Sequence, residues 1–220
     1  MQISRVKRSK STARMAYDRL SPIYDGLAGS SETRFMRLGV QMLSIEAGES
    51  VLEIGCGTGK ALVELYHLVG EAGKVHGLDL SQGMLQKSSD RLSKSGVAHG
   101  VCLLEGDGTY LPYQSESFNA VFISFTLELF DTPEIPVVLE ECQRVLVPGG
   151  RLGVVAMLKT EPPGTIVRLY EWLHDKLPAY VDCRPIDADT MIQAAGFKVD
   201  KQQIRSMWGL PVEMVVASKE

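Results

Sequence analysis

The chain has no apolar run long enough to cross a bilayer, which excludes a transmembrane helix on hydropathy grounds. It has only four cysteines, Cys56, Cys102, Cys142 and Cys183, far apart and without a C-x-x-C pair. That excludes a disulfide scaffold and a zinc-finger spacing, and suits reduced thiols. No charge sign dominates: 23 basic residues face 27 acidic ones, for a net charge of −4, which argues against a dedicated nucleic-acid binder. No apolar segment of the signal-peptide kind stands at the start. No internal repeat and no low-complexity linker is present. The 220 residues suit one domain with a substantial core. The four histidines, His67, His76, His99 and His174, show no ligand spacing, so no metal is expected.

The segment Val51-Leu52-Glu53-Ile54-Gly55-Cys56-Gly57-Thr58-Gly59 carries the most information. A short apolar run holds one acid and then breaks into three glycines spaced two apart. It reads as a buried strand entering a loop whose backbone something approaches closely, because glycine lacks Cβ and tolerates positive φ. A helical pattern, Lys60–Val69, follows, with its N-terminal N–H groups at the same place, where an anionic group is favoured. The dinucleotide pattern G-x-G-x-x-G fails at Lys60, and no Gly-Lys-Ser/Thr supplies a P-loop. The competing bland reading is a βα turn with spare glycines.

Around this loop the periodicity predicts alternating elements. A helical or turn-rich lead-in runs from Tyr17 to Leu27, limited by Pro22. A second helix carries Phe35, Leu38, Met42 and Ile45 and ends near Gly48. Strands are expected at Ser50–Ile54, Lys74–Leu80, Val101–Glu105, Phe118–Ser124 and Arg151–Met157. Ser81 caps a helix to about Lys94. Another helix starts at Glu134, with Ile135, Val138, Leu139, Cys142, Val145 and Leu146 on one stripe, and Pro148-Gly149-Gly150 stops it. Further helices are expected at Ile166–Lys176 and Asp187–Ala195, with closing strands at Phe197–Ile204 and Leu210–Ala217. Near-continuous apolar strands alternating with amphipathic helices predict an α/β fold with a mostly parallel sheet covered on both faces.

Three further signals follow the glycine loop. Asp79, in Gly77-Leu78-Asp79-Leu80-Ser81, stands at the carboxyl end of the second strand, where a carboxylate can accept both hydroxyls of a ribose; the alternative is a helix cap. Glu105-Gly106-Asp107-Gly108 ends the third strand, where Asp107 can accept from an adenine amino group, with Leu80 and Leu111 sandwiching the base; the alternative is a Gly-Asp-Gly turn. Val147-Pro148-Gly149-Gly150-Arg151 makes a sharp helix-to-strand turn. In this order the four signals resemble the class I S-adenosylmethionine-dependent methyltransferases from Gly48 to Met157. The resemblance implies a Rossmann-like, doubly wound seven-stranded sheet in order 3-2-1-4-5-7-6 with strand 7 antiparallel. It implies S-adenosyl-L-methionine as cofactor, with Glu53, Gly55, Cys56, Gly57 and Gly59 at the methionyl part, Asp79 at the ribose, Leu80, Asp107 and Gly108 at the adenine, and Ser124 and Phe125 lining the methionine end.

Tyr17-Asp18-Arg19-Leu20-Ser21-Pro22-Ile23-Tyr24-Asp25 resembles the lead-in of the ubiquinone/menaquinone C-methyltransferases and some phospholipid N-methyltransferases. There a tyrosine matching Tyr24 reaches the cofactor carboxylate; the other reading makes Tyr17 and Tyr24 core residues. The implied layout is a single domain: a basic tail (1–16), a helical lid (17–47), a cofactor-binding core (48–158), and a cap helix with closing strands (159–220). The implied partner is a small, apolar or lipid-like methyl acceptor, with quinol C-methylation favoured over phospholipid N-methylation. Tyr170–His174 and Val181–Pro185 match no substrate motif, and no catalytic base is assigned, although His174 and Asp182 stand in the expected cap. The alternatives are a non-catalytic cofactor-binding regulator, an NAD-dependent oxidoreductase, and an RNA or protein methyltransferase. The last lacks the Asn/Asp-Pro-Pro-Tyr/Phe motif, since Ser124-Phe125-Thr126-Leu127 stands in its place. Arg5, Lys7, Arg8, Lys10 and Arg14 precede the first acid, Asp18. They read as a solvated tail, as a contact with an anionic membrane surface, or as a transit peptide. A cytoplasmic location with peripheral membrane contact is the expectation.

Overall fold

The structure is a computed structural model, and it describes residues 9–21, 29–160 and 184–220. Its elements, in chain order, are α1 (Lys10–Leu20), α2 (Gly29–Leu43), β1 (Ser50–Ile54), α3 (Lys60–Val69), β2 (Lys74–Asp79), α4 (Gln82–Lys94), β3 (Val101–Glu105), β4 (Phe118–Ser124), α5 (Glu134–Val145), β5 (Leu146–Met157), α6 (Ala188–Ala194), β6 (Lys198–Met207) and β7 (Leu210–Ser218). The strands form one sheet in the order β3-β2-β1-β4-β5-β7-β6. β1 to β5 are parallel, and β7 runs antiparallel to both β5 and β6. The order reverses direction between β1 and β4, which opens a crevice at the carboxyl ends of those strands.

Strand alternation sends side chains to two separate cores. Leu52, Ile54, Val121, Ile123, Leu152 and Val154 face α5 and α6, whose Val138, Leu139, Cys142 and Ile192 close that layer. Val51, Ala120, Phe122 and Val155 face α2 and α3, meeting Phe35, Val40, Leu43, Leu62 and Leu65. α2 presses so close to the sheet that a Cβ at Gly39 would sit 2.4 Å from Val155 Cγ2. Glu53 is the single acid in β1 and lies 3% exposed on the second of these faces.

Four boundaries differ from the sequence reading by more than one residue, each for a local reason. The first helix starts at Lys10 rather than Tyr17, inside the segment read as a tail, because Ser9 accepts the Thr12 N–H and caps it. α2 stops at Leu43, since Ser44 turns to φ 52°, and Ile45 packs from outside the helix. Pro148-Gly149-Gly150 does not separate helix from strand: α5 has already ended at Val145, and β5 begins at Leu146. The register jumps from Phe118↔Leu146 to Ala120↔Arg151, so the Pro-Gly-Gly segment is a bulge inside β5. β6 extends to Met207 and closes on β7 through Trp208 and Gly209, both at positive φ, as a two-residue hairpin requires. The lead-in beyond Ser21 and the expected helix Ile166–Lys176 lie outside the described residues.

Candidate functional site

A cleft opens at the β1/β4 reversal. Among its lining residues are Lys10, Ala13, Tyr17, Glu53, Gly55, Cys56, Gly57, Asp79, Leu80, Asp107, Gly108, Ser124, Phe125 and Phe130. The glycine loop forms its floor by backbone. The Gly55 and Cys56 N–H groups both donate to Leu78 O, which ties the start of the loop to the end of β2. Space, not only conformation, demands glycine there: a Cβ at Gly55 would meet Thr126, and one at Gly59 would sit 2.3 Å from Ser88 Oγ. Gly57, at φ +51°, differs, because a Cβ built on it meets nothing within 4 Å. Gly59 is the N-cap of α3 and offers no capping side chain, and the start of that helix borders the cleft, where its dipole favours an anionic group. Arg91 Nε donates to Thr58 O at 2.7 Å and ties the loop to α4.

Glu53 and Asp79 dominate the electrostatics. Glu53 Oε2 is buried and has no hydrogen-bond partner. Burial, and then the nearby Asp79 charge, push its pKa well above the ordinary carboxylate value. A buried, unsatisfied acceptor lining a cleft fits a cationic donor such as a ligand ammonium. Asp79 Oδ2 accepts the Gly57 N–H at 2.8 Å, and its Oδ1 accepts the Ser81 N–H at 2.8 Å. Its pKa is raised, chiefly by burial, against the lowering effect of those bonds. Asp79 therefore stitches the two ligand loops together. The helix-cap role falls to Ser81, whose Oγ accepts the Met84 N–H at 3.1 Å.

At the other end, Asp107 Oδ1 accepts both the N–H and the hydroxyl of Thr109, each at 2.9 Å. Its Oδ2 accepts from Lys10 Nζ at 2.6 Å. Burial alone would raise the Asp107 pKa; the Lys10 and Thr109 hydrogen bonds outweigh it and lower it. Lys10 also pairs with Glu134 at 2.8 Å, and Arg14 pairs with Glu105 at 2.5 Å. One helical turn further, Asp18 Oδ1 accepts from Ser81 Oγ at 2.6 Å and from the Gly83 N–H at 2.9 Å.

The structure thus gathers Glu53, Gly55, Cys56, Gly57, Gly59, Asp79, Leu80, Asp107, Gly108 and Ser124 at or beside one cleft; Tyr24 lies outside the described residues. The Cys56 thiol packs into the core over Gly77, so its share in the cleft is backbone. Leu111 does not sandwich a base: it is 3% exposed within the α5-side core, and the cleft is lined instead by Phe130 and Met84 alongside Leu80. Sequence reasoning missed Lys10, Asp18 and Arg184. Arg184, which the sequence places in the segment of the cap helix and closing strands, is 1% exposed. It donates to Glu128 O at 3.1 Å, to Phe130 O at 2.6 Å and to Thr132 Oγ1 at 2.9 Å, and so holds the segment that carries Phe130 into the cleft. Its only sequence signal was a charged residue before Pro185 and Ile186, too weak to interpret. Among the described residues, no group of His, Cys, Asp and Glu is placed to hold a metal.

Comparison with known proteins agrees with this geometry. Residues 51–150 match a family model described as a methyltransferase domain. A demethylmenaquinone methyltransferase of Lactobacillus johnsonii is 31% identical over 157 residues, covering 70% of this chain and 63% of that protein. A 2-phytyl-1,4-naphtoquinone methyltransferase of Synechococcus elongatus is 32% identical over 151 residues, covering 67% and 64%. The chain thus spans just under two thirds of the length of these curated relatives. The crystal structure of the cyclase SpnF superposes with a TM-score of 0.76 at 19% identity, covering 96% of this chain and 97% of that one, a likeness of fold. Residues 51–150 thus match a methyltransferase domain, and the sheet order and site layout agree with the class I S-adenosylmethionine-dependent methyltransferases that the sequence resembles.

Proposed function

We propose that the protein transfers a methyl group from S-adenosylmethionine to a small apolar acceptor, with a quinol ring carbon favoured and a phospholipid amine next. The observation that carries the cofactor assignment is the buried, unpartnered Glu53 Oε2 in the cleft that also holds Gly57 and Asp79. Glu53 would receive the amino acid ammonium, and the first turn of α3 its carboxylate. Asp79 keeps further lone pairs for ribose hydroxyls, and Asp107 Oδ2 keeps one for an adenine amino group. The bound cofactor supplies an electrophilic methyl group on a sulfonium. The acceptor atom forms the new bond to carbon, the sulfur–methyl bond breaks with its electrons passing to sulfur, and the acceptor releases a proton. Positioning does most of the work in such a displacement, on the order of 7–11 kcal/mol when the reactants are well oriented.

The acceptor assignment rests on the names of the relatives and on an apolar corner of the site. Phe125, which lines the cleft, packs against Met157 and Leu210 at the carboxyl edge of the sheet. Its φ of +49° is strained for an aromatic residue, a condition concentrated at functional sites. Such a corner suits a flat apolar ring. The test is labelled S-adenosylmethionine with a demethylated naphthoquinol, and separately with phosphatidylethanolamine vesicles. Label entering the quinol supports the reading. Binding of the cofactor with no transfer to either acceptor turns the reading towards a non-catalytic regulator. The membrane contact now falls to Arg5, Lys7 and Arg8, because Lys10 and Arg14 are engaged with carboxylates. Cosedimentation with anionic vesicles tests it.

A further inference from the structure

We propose that Lys10 is a positioning residue for the adenosine end of the site, and that α1 is bolted across that end as a wall of the pocket. The proposal rests on the cofactor reading above. Lys10, Arg14 and Asp18 are spaced four apart, so they share one helix face. Each is tied to a different part of the site rim. Lys10 Nζ meets Asp107 Oδ2 at 2.6 Å, Glu134 Oε1 at 2.8 Å and Thr109 Oγ1 at 3.0 Å. An ammonium has three protons, and three acceptors stand around this one. Arg14 pairs with Glu105 at the end of β3. Asp18 takes the Ser81 hydroxyl and the Gly83 N–H at the start of α4, where a Cβ at Gly83 would lie 3.1 Å from Asp18 Cα. Ala13 and Tyr17, adjacent on the helix, line the cleft.

Two effects follow for Asp107. Its carboxylate plane is fixed, with Thr109 holding one oxygen and Lys10 the other, and Oδ2 keeps a lone pair for a ligand donor. Its charge is also compensated. Asp107 and Glu134 both reach the same ammonium, and without it two carboxylates would crowd one end of the cleft with no cation between them. The pair is partly exposed, 40% for the Lys10 side chain and 30% for Asp107, so salt screens it.

The test is calorimetry on the full chain with S-adenosylhomocysteine and with methylthioadenosine, which lacks the amino acid end. Lys10→Met is expected to weaken both ligands by the same factor, about three- to tenfold, the scale of one partly exposed charge-assisted contact. Lys10→Arg is expected to restore most of the loss. Wild-type affinity should fall from low to high salt, and the Lys10→Met series should be flatter. Unchanged or tighter binding by Lys10→Met overturns the proposal, the latter because Lys10 would then compete with the ligand for Asp107. So does a loss confined to S-adenosylhomocysteine, which would place the effect at the amino acid end. If Lys10→Met does not fold, the wild-type salt series decides, and salt-independent binding of methylthioadenosine overturns the proposal. A wild-type protein that binds neither ligand overturns the cofactor reading itself, and this inference with it.

Discussion

The two ends of the cleft are built differently. The end proposed for the amino acid part is made of consecutive residues: β1, the glycine loop and α3 run without a break from Ser50 to Val69, and the loop floors the cleft mostly with backbone. The end proposed for adenosine is assembled from side chains distant in sequence, with Lys10 and Asp107 separated by 97 residues. Backbone held by close packing has few ways to move, whereas an ion pair between partly exposed side chains responds to salt and to single substitutions. The first end should therefore fail all at once when its packing is broken, and the second should weaken by degrees.

The largest effect is expected at Gly59. Gly59→Val places a β-branched residue at φ +76° with a Cβ 2.3 Å from Ser88 Oγ, and both the loop and α4 must shift. Binding of S-adenosylhomocysteine should be lost, and thermal unfolding should drop by several degrees, since overpacking costs about 1–3 kcal/mol. A variant that retains wild-type affinity would show that the loop is not the rigid floor described.

Asp79→Ala comes next. It removes the acceptor for the Gly57 and Ser81 N–H groups and the carboxylate offered to the ribose. Affinity should fall at least tenfold in a folded protein, since each hydrogen bond to a charged group is worth roughly 1.5–3 kcal/mol. Equal affinities in titration calorimetry would confine Asp79 to stitching the loops.

Glu53→Gln gives a smaller effect with a diagnostic sign. The folded-state pKa of Glu53 is raised by burial above its ordinary 4.5, so its contribution to stability is present below that value and is lost as pH rises through the folded pKa. Glutamine cannot ionise. The ligand-free variant should therefore melt higher than wild type at neutral pH, and the gap should close towards about pH 4. Ligand affinity should fall, because the acceptor for the ammonium has lost its charge. A gap that is the same at both pH values would mean that the Glu53 pKa is not raised on folding, which would contradict its burial as an unpartnered acid.

Much of the fold was legible because it rests on local patterning. The five parallel strands follow from short apolar runs, and α4 and α5 from a Ser cap and an apolar stripe. The glycine loop was legible for the same reason, since its chemistry lies in adjacent residues. Lys10 was not: in a basic segment with no apolar periodicity, nothing local distinguishes a lysine that ends on Asp107 from one in solvent. Leu111 misled because its position after Asp107 suits a base contact, whereas its N–H is held by Glu141 and its side chain enters the core. Arg184 was not legible, because a charged residue before a proline carries no local sign of burial, and its partners, the Glu128 and Phe130 carbonyls and the Thr132 hydroxyl, lie over fifty residues away.

The most direct measurement is titration calorimetry of the full chain with S-adenosylmethionine and S-adenosylhomocysteine in the presence of a metal chelator. The geometry of Glu53, Gly57, Asp79 and Asp107 predicts one site per chain, saturable by both ligands and indifferent to the chelator. No heat of binding from either ligand at millimolar concentration would contradict the account.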